Sequence, residues 1–234
     1  MQQADHAAAP FFPWHRIYLH LFEEQLKKRC GYQGSLPYWD WTLDNPDIHN
    51  APVWDNFTGF GGNGGGVTGT ALPNATCVSD GPLSSMKPLY FNAKRMPHCL
   101  SRAFVHLDAE GVYAQALGPE AWLKILNQTD YDSFRRDMDD TVHNTIHGAV
   151  GGDFLDINSS NDPIFYLHHA QLDRLWWIWQ KQRTHRAFEY RGLRSETSNM
   201  SASLDDELNF MYLHRGVPVS DAMSTESGML CYQY

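Results

Sequence analysis

The segment His143-Asn-Thr-Ile-His147, with Asp162-Pro-Ile-Phe-Tyr-Leu-His168-His169-Ala-Gln-Leu-Asp173 after it, decides how the chain reads. On a helix, residues four apart stand one turn above one another, so His143 and His147 share a face. Asp162 is a capping residue and Pro163 suits a first turn, so a second helix starts there with its phase set. Phe165 and Asp173 flank His169 by one turn on the same face. Phe165 is placed to stack on an imidazole, and Asp173 to accept a ring N–H or to form an exposed pair with a nearby arginine. His168 points roughly 100° away from His169 and reads as a pocket or hydrogen-bonded residue. An isolated pair of helical histidines is ordinary, but three imidazoles on two helices make a metal site.

Working outward, Thr129 or Asp130 caps a helix from about Tyr131 to Gly148, and Gly151-Gly152 ends it. The Asp162 helix runs from Ile164 to about Arg183, and a shorter helical pattern covers Pro119 to Leu126. Near the start, Pro13 suits a first turn, and His15, Tyr18, Leu19, Phe22 and Leu26 form a helical stripe. Glu23–Lys27 and Glu24–Lys28 support the opposite side, and Gly31 is a natural stop. His6 lies in the loop before this helix and His15 in its first turn, so the two converge on one metal only from loop and helix together. Leu36-Pro-Tyr-Trp-Asp-Trp41 is an aromatic segment expected to pack over helix ends. Residues 56–99 form a long loop whose Gly59–Gly66 run excludes regular structure, and such loops are usually functional. Beyond 190 we expect polar loops, a short helix near Asp205–Tyr212 and a strand-like tail ending at Tyr234. The pattern is mainly α with little β-structure.

The 234 residues suit a single domain spanning 1–234 with one sizeable core. A net charge of −9 argues against nucleic acid or an anionic membrane as partner. No run approaches the ~20 apolar residues of a membrane span. Twelve histidines and eight tryptophans suit metal chemistry in a stiff core. Cys30, Cys77, Cys99 and Cys231 contain no CxxC, which disfavours zinc ribbons. The four cysteines leave three pairings open. We expect Cys77–Cys99, which closes a loop of about two dozen residues worth roughly 3 kcal/mol. Sequons at Asn56, Asn74, Asn127, Asn158 and Asn199, with the even cysteine count, point to a secreted glycoprotein. No signal peptide is visible at Met1.

The segment His6-Ala-Ala-Ala-Pro-Phe-Phe-Pro-Trp-His15-Arg16, with Glu23 after it, resembles the first copper signature of the tyrosinase and catechol oxidase family. Asp162 to Asp173 resembles the second at its fixed positions. Pro37-Tyr-Trp-Asp-Trp41 and Tyr232-Gln-Tyr234 are also similar to this family's core, most closely the short fungal enzymes. The resemblance spans nearly the whole chain. It implies a four-helix bundle around two copper ions, with dioxygen and a small phenol as partners. His143, His147 and His169 would bind copper B, and His6 and His15 would be the second and third ligands of copper A. The first copper A ligand would lie upstream of His6, so the chain is expected to begin after it, leaving copper A incomplete.

Some family members crosslink a cysteine to the second copper A histidine. Ala4 stands at that place, so no thioether is expected. Asn144 matches an asparagine that, with a nearby carboxylate, holds a phenol-deprotonating water; Asp139 takes the place of the usual glutamate. Gly148 would leave an open rim above copper B. The activity implied is oxidation of o-diphenols to o-quinones, with ortho-hydroxylation of monophenols an added capacity. The rivals are an o-aminophenol oxidase, a hemocyanin-like oxygen carrier and an inactive fragment.

Overall fold

The computed structural model describes residues 6–65, 72, 74–105 and 111–234. It is mainly helical, 43% helix and 7% strand. In chain order the elements are α1 (Phe11–Cys30), β1 (Thr76–Cys77), β2 (Tyr90–Phe91), β3 (Lys94–Arg95), β4 (Ser101–Arg102), α2 (Val112–Ala116) and α3 (Pro119–Leu126). There follow α4 (Tyr131–Asp137), a π-helical segment (Met138–His143), α5 (Asn144–Val150), α6 (Ile164–Lys181), β5 (Glu207–Leu208), β6 (Val217–Pro218) and α7 (Val219–Ala222). Two compact units divide the chain.

The first unit comprises the described residues of Met1–Tyr38, Lys124–Asp139 and His169–Tyr234. Helix α1 buries its N-terminal half, with Phe11, Phe12, Ile17 and Leu19 in the core. Phe12 packs on Phe134 at 5.4 Å and on Trp176 at 5.4 Å. The expected exposed pairs Glu23–Lys27 and Glu24–Lys28 form. Gly31 ends α1 in the left-handed region at φ 66°, where its N–H reaches the Leu26 carbonyl. Asp130 caps α4, its side chain accepting from the Ser133 N–H at 3.0 Å. Two expectations are corrected here. The Asp205–Tyr212 stretch is no helix: Glu207–Leu208 pairs antiparallel with Val217–Pro218, and the short helix is α7 instead. The tail forms no strand; Tyr232 makes one backbone bond, to Thr225, and the tail is held by its tyrosine hydroxyls.

The second unit comprises the described residues of Trp39–Leu123 and Asp140–His168. The Cys77–Cys99 disulfide is present, and β1 pairs antiparallel with β4 beside it. Asp162 caps α6 as expected, accepting from the Ile164 N–H at 3.1 Å. Arg102, missed in the sequence, binds Asp162 with two donors at 2.7 and 3.1 Å, and both side chains are fully buried. The same guanidinium reaches the Gly62 carbonyl at 3.1 Å, tying the glycine-rich loop to the start of α6. Trp39 and Trp41 are buried, and the Trp39 N–H bonds the Leu167 carbonyl of α6 at 3.0 Å. The two tryptophans of the aromatic segment thus join the core, whereas Tyr38 stays exposed.

Candidate metal centre

Helix periodicity carries three imidazoles together in the second unit. His143 closes the π-helical segment, His147 lies one turn on in α5, and His168 lies in α6. All three are buried, and each offers a ring nitrogen within 4.8 Å of the others. The ring centroids are 4.4 Å apart for His143 and His147, 5.1 Å for His147 and His168, and 5.7 Å for His143 and His168. His168, read from the sequence as a pocket or hydrogen-bonded residue, stands among the candidate ligands themselves. Phe165 stands 6.4 Å from the His147 ring.

The His147 tautomer is set by the backbone. Its Nδ1 lies 2.6 Å from the Phe154 carbonyl, and a carbonyl only accepts, so Nδ1 carries the proton and Nε2 the lone pair. The Phe154 ring also stacks on His147 at 4.4 Å. Nothing in the spacing of histidines announces this acceptor. Its sequence trace is the Gly151-Gly152 pair, which turns the chain back after α5 with both φ angles near +60°.

In the first unit, His6, His15 and His169 come together. His15 and His169 stack at 4.1 Å, and His6 lies 5.5 Å from His15. His15 Nδ1 donates to the Phe11 carbonyl one turn back at 2.8 Å, again directing the lone pair to Nε2. His6 as a whole is solvent-exposed, yet its surroundings desolvate the ring enough to lower its pKa against the pull of Asp139 and Glu196. A neutral imidazole is the ligand form.

Asp173 departs from both expected roles, since its arginine pair is buried rather than exposed. Its carboxylate takes Arg16 Nε at 2.6 Å and the hydroxyls of Tyr232 and Tyr234 at 2.5 and 2.9 Å. It anchors α1 and the tail to α6 and is filled without a ring N–H from His169. A guanidinium next to His15 outcompetes an imidazole for a buried carboxylate because it is always charged and offers several donors. Arg16 also lies 3.7 Å over the Trp176 ring.

Asp139 is buried and stands 3.7 Å from Arg135. Desolvation pushes its pKa up to about 6, against the pull of His6 and Arg135. Asn144 is exposed in the first turn of α5. At Gly148 an added Cβ would meet nothing within 4 Å. Ala4 lies outside the described residues.

Buried imidazoles, two of them with Nδ1 tied to a carbonyl, define a helical protein fitted for copper, zinc or iron rather than for hard cations. The common central domain of tyrosinase matches residues 1–182, and the chain belongs to the tyrosinase family. It is 40% identical over 231 residues to tyrosinase ustQ of Aspergillus flavus, covering 98% of this chain and 64% of that protein. It is 39% identical to the tyrosinase-like protein phomQ2 of Diaporthe leptostromiformis, covering 98% and 59%. A third relative, 29% identical with 98% and 76% covered, is the N-acetyl-6-hydroxytryptophan oxidase ivoB of Emericella nidulans. The chain thus spans about 60% of the length of the first two. Among solved structures, a variant polyphenol oxidase from Thermothelomyces thermophila is similar at TM-score 0.76 and 26% identity, with 99% of this chain and 74% of that one covered.

Proposed function

We propose that this chain is the core of a copper-dependent oxidase that uses dioxygen to convert o-diphenols to o-quinones. The observation that carries the reading is the buried trio His143, His147 and His168 with the His147 lone pair held at Nε2. Family resemblance supports His143, His147 and His169 as ligands of one copper, and His6 and His15 as ligands of the other. A bound copper pair would supply two electrons at once, which dioxygen reduction needs. Each diphenol gives up two electrons and two protons, so one dioxygen serves two diphenols and leaves as two waters.

The chain's own residues do the rest. The Phe11 and Phe154 carbonyls hold the Nδ1–H of His15 and His147 and so keep both rings aimed. The aromatic packing around His147, Phe154 and Phe165 excludes water. The open rim at Gly148 admits a flat ring. Asn144 and Asp139 are the polar groups proposed to hold a water that takes the phenol proton.

Copper analysis with oxygen uptake on 4-methylcatechol tests the reading, paired with an o-aminophenol. About two coppers per chain with catechol-dependent uptake supports the reading, and about one copper per chain without uptake sinks it for this chain and favours the inactive fragment. Copper binding without turnover favours oxygen carriage, and faster aminophenol turnover favours the aminophenol oxidase.

We also propose that the protein is secreted and glycosylated. The disulfide suits an oxidising compartment, and Asn56, Asn74, Asn127 and Asn199 are exposed. Asn158 is buried and exchanges hydrogen bonds with Asn92 at 2.9 and 3.1 Å, so that sequon has no room for a glycan.

A further inference from the structure

Asp153 is fully buried, is absent from the ligand motifs, and has every role filled by neighbours rather than by solvent. Its Oδ1 accepts from His98 Nε2 at 2.8 Å and from Asn161 Nδ2 at 3.1 Å. Its Oδ2 accepts from the Ser101 N–H at 2.9 Å and the Ser101 hydroxyl at 2.8 Å. Four donors on one carboxylate fix its place. Asp153 sits inside the Gly152–Phe154 turn, directly before the carbonyl that holds His147. The turn also presses on β4: a Cβ on Gly152 would stand 2.3 Å from the Ser101 carbonyl oxygen, and one on Gly151 would stand 2.7 Å from that of Ala103. The partners of Asp153 lie beside the crosslink, since His98 precedes Cys99 and Ser101 follows it by two residues.

We propose that Asp153 is a positioning residue for His147. It clamps the turn to β4 and His98, and the clamped turn presents the Phe154 carbonyl to His147 Nδ1. The proton therefore stays on Nδ1, which leaves the lone pair on Nε2. The proposal rests on the reading of His147 as a copper ligand only for its consequence; the tautomer itself is a property of the metal-free chain.

The test is long-range 1H–15N correlation of the full metal-free chain labelled at histidine nitrogen, with His147 assigned by its loss in His147→Ala. Wild type should show His147 as a single Nδ1–H tautomer. In Asp153→Asn, which keeps the shape and removes the charge, the Nδ1–H share should fall and an Nε2–H population should appear. His15 is the internal control, because its acceptor is the Phe11 carbonyl of its own helix. An unchanged His147 signal in Asp153→Asn overturns the proposal. If Asp153→Asn loses the His15 signal and so its fold, Ser101→Ala decides: it removes one donor from Oδ2, and an unmoved His147 tautomer there overturns the proposal equally. Copper titration of the same proteins should give roughly 10–100-fold weaker binding in Asp153→Asn. A wild-type chain that binds no copper sinks the copper reading while leaving the tautomer result to stand or fall by itself.

Discussion

At the residue scale, the site depends on which atoms receive protons. His15 and His147 each give Nδ1–H to a main-chain carbonyl, so no side-chain substitution at the acceptor removes the bond. Buried charges are different. Arg102 is the guanidinium partner of the buried Asp162 carboxylate, and Arg102→Met would leave that anion uncompensated. We expect a loss of about 3–5 kcal/mol in urea unfolding, a size surface pairs do not reach. His98 gives a pH signature. Burial alone would lower its pKa, but the Asp153 and Met96 hydrogen bonds outweigh it and raise the value above the ordinary 6.5. A raised folded pKa means stability that is full below about pH 6.5 and lost as pH rises through the folded value. Unfolding free energies measured from pH 6 to 9 should therefore decline in wild type, and His98→Gln should remove that part of the slope. A slope unchanged in His98→Gln would show that the pair is not the source.

At the element scale, the sequence reading and the structure part in an orderly way. Pro119–Leu126, α1 and α6 lie where periodicity and caps put them, and Gly31, Asp130 and Asp162 do the terminating work expected. The helix read as continuous from Tyr131 contains a π-helical segment, Met138–His143, which ends at a ligand candidate. A π segment shifts the phase of later residues, and side-chain periodicity over six residues cannot announce it. The hairpins were invisible because strands of two residues carry no alternation to read. Gly151-Gly152 read only as a stop, yet the pair places the turn that serves His147. Gly152→Ala combines φ 59° with a collision at the Ser101 carbonyl. It should cost at least about 1–3 kcal/mol and lower copper content as well, measured by urea unfolding and metal analysis.

At the scale of the whole molecule, the Cys77–Cys99 disulfide adds a constraint beyond the core. Replacing Cys77 and Cys99 by serine reopens a loop with a sequence separation of 22 and should cost about 3 kcal/mol. Reducing and non-reducing thermal melts compare the two states, and equal melts would show the crosslink to be idle. Copper that binds the folded chain alone would stabilise it by mass action, about 2.7 kcal/mol at a hundred times the dissociation constant. For a chain of this size that is a Tm rise of roughly 5–10 °C, removed by a chelator. The sequence by itself determined the family, the long helices and the histidines, because motif spacing and helical period are local and repeat within a few residues. Only the tertiary structure decided who answers them. Asp173 went to Arg16 and two tyrosines, Asp139 to a buried place beside Arg135, and His147 to the Phe154 carbonyl. A buried donor bonds whatever acceptor folding brings within about 3 Å, and distance along the chain carries no information about that. The pair His143–His147 is thus complete only with a turn that no spacing rule reveals.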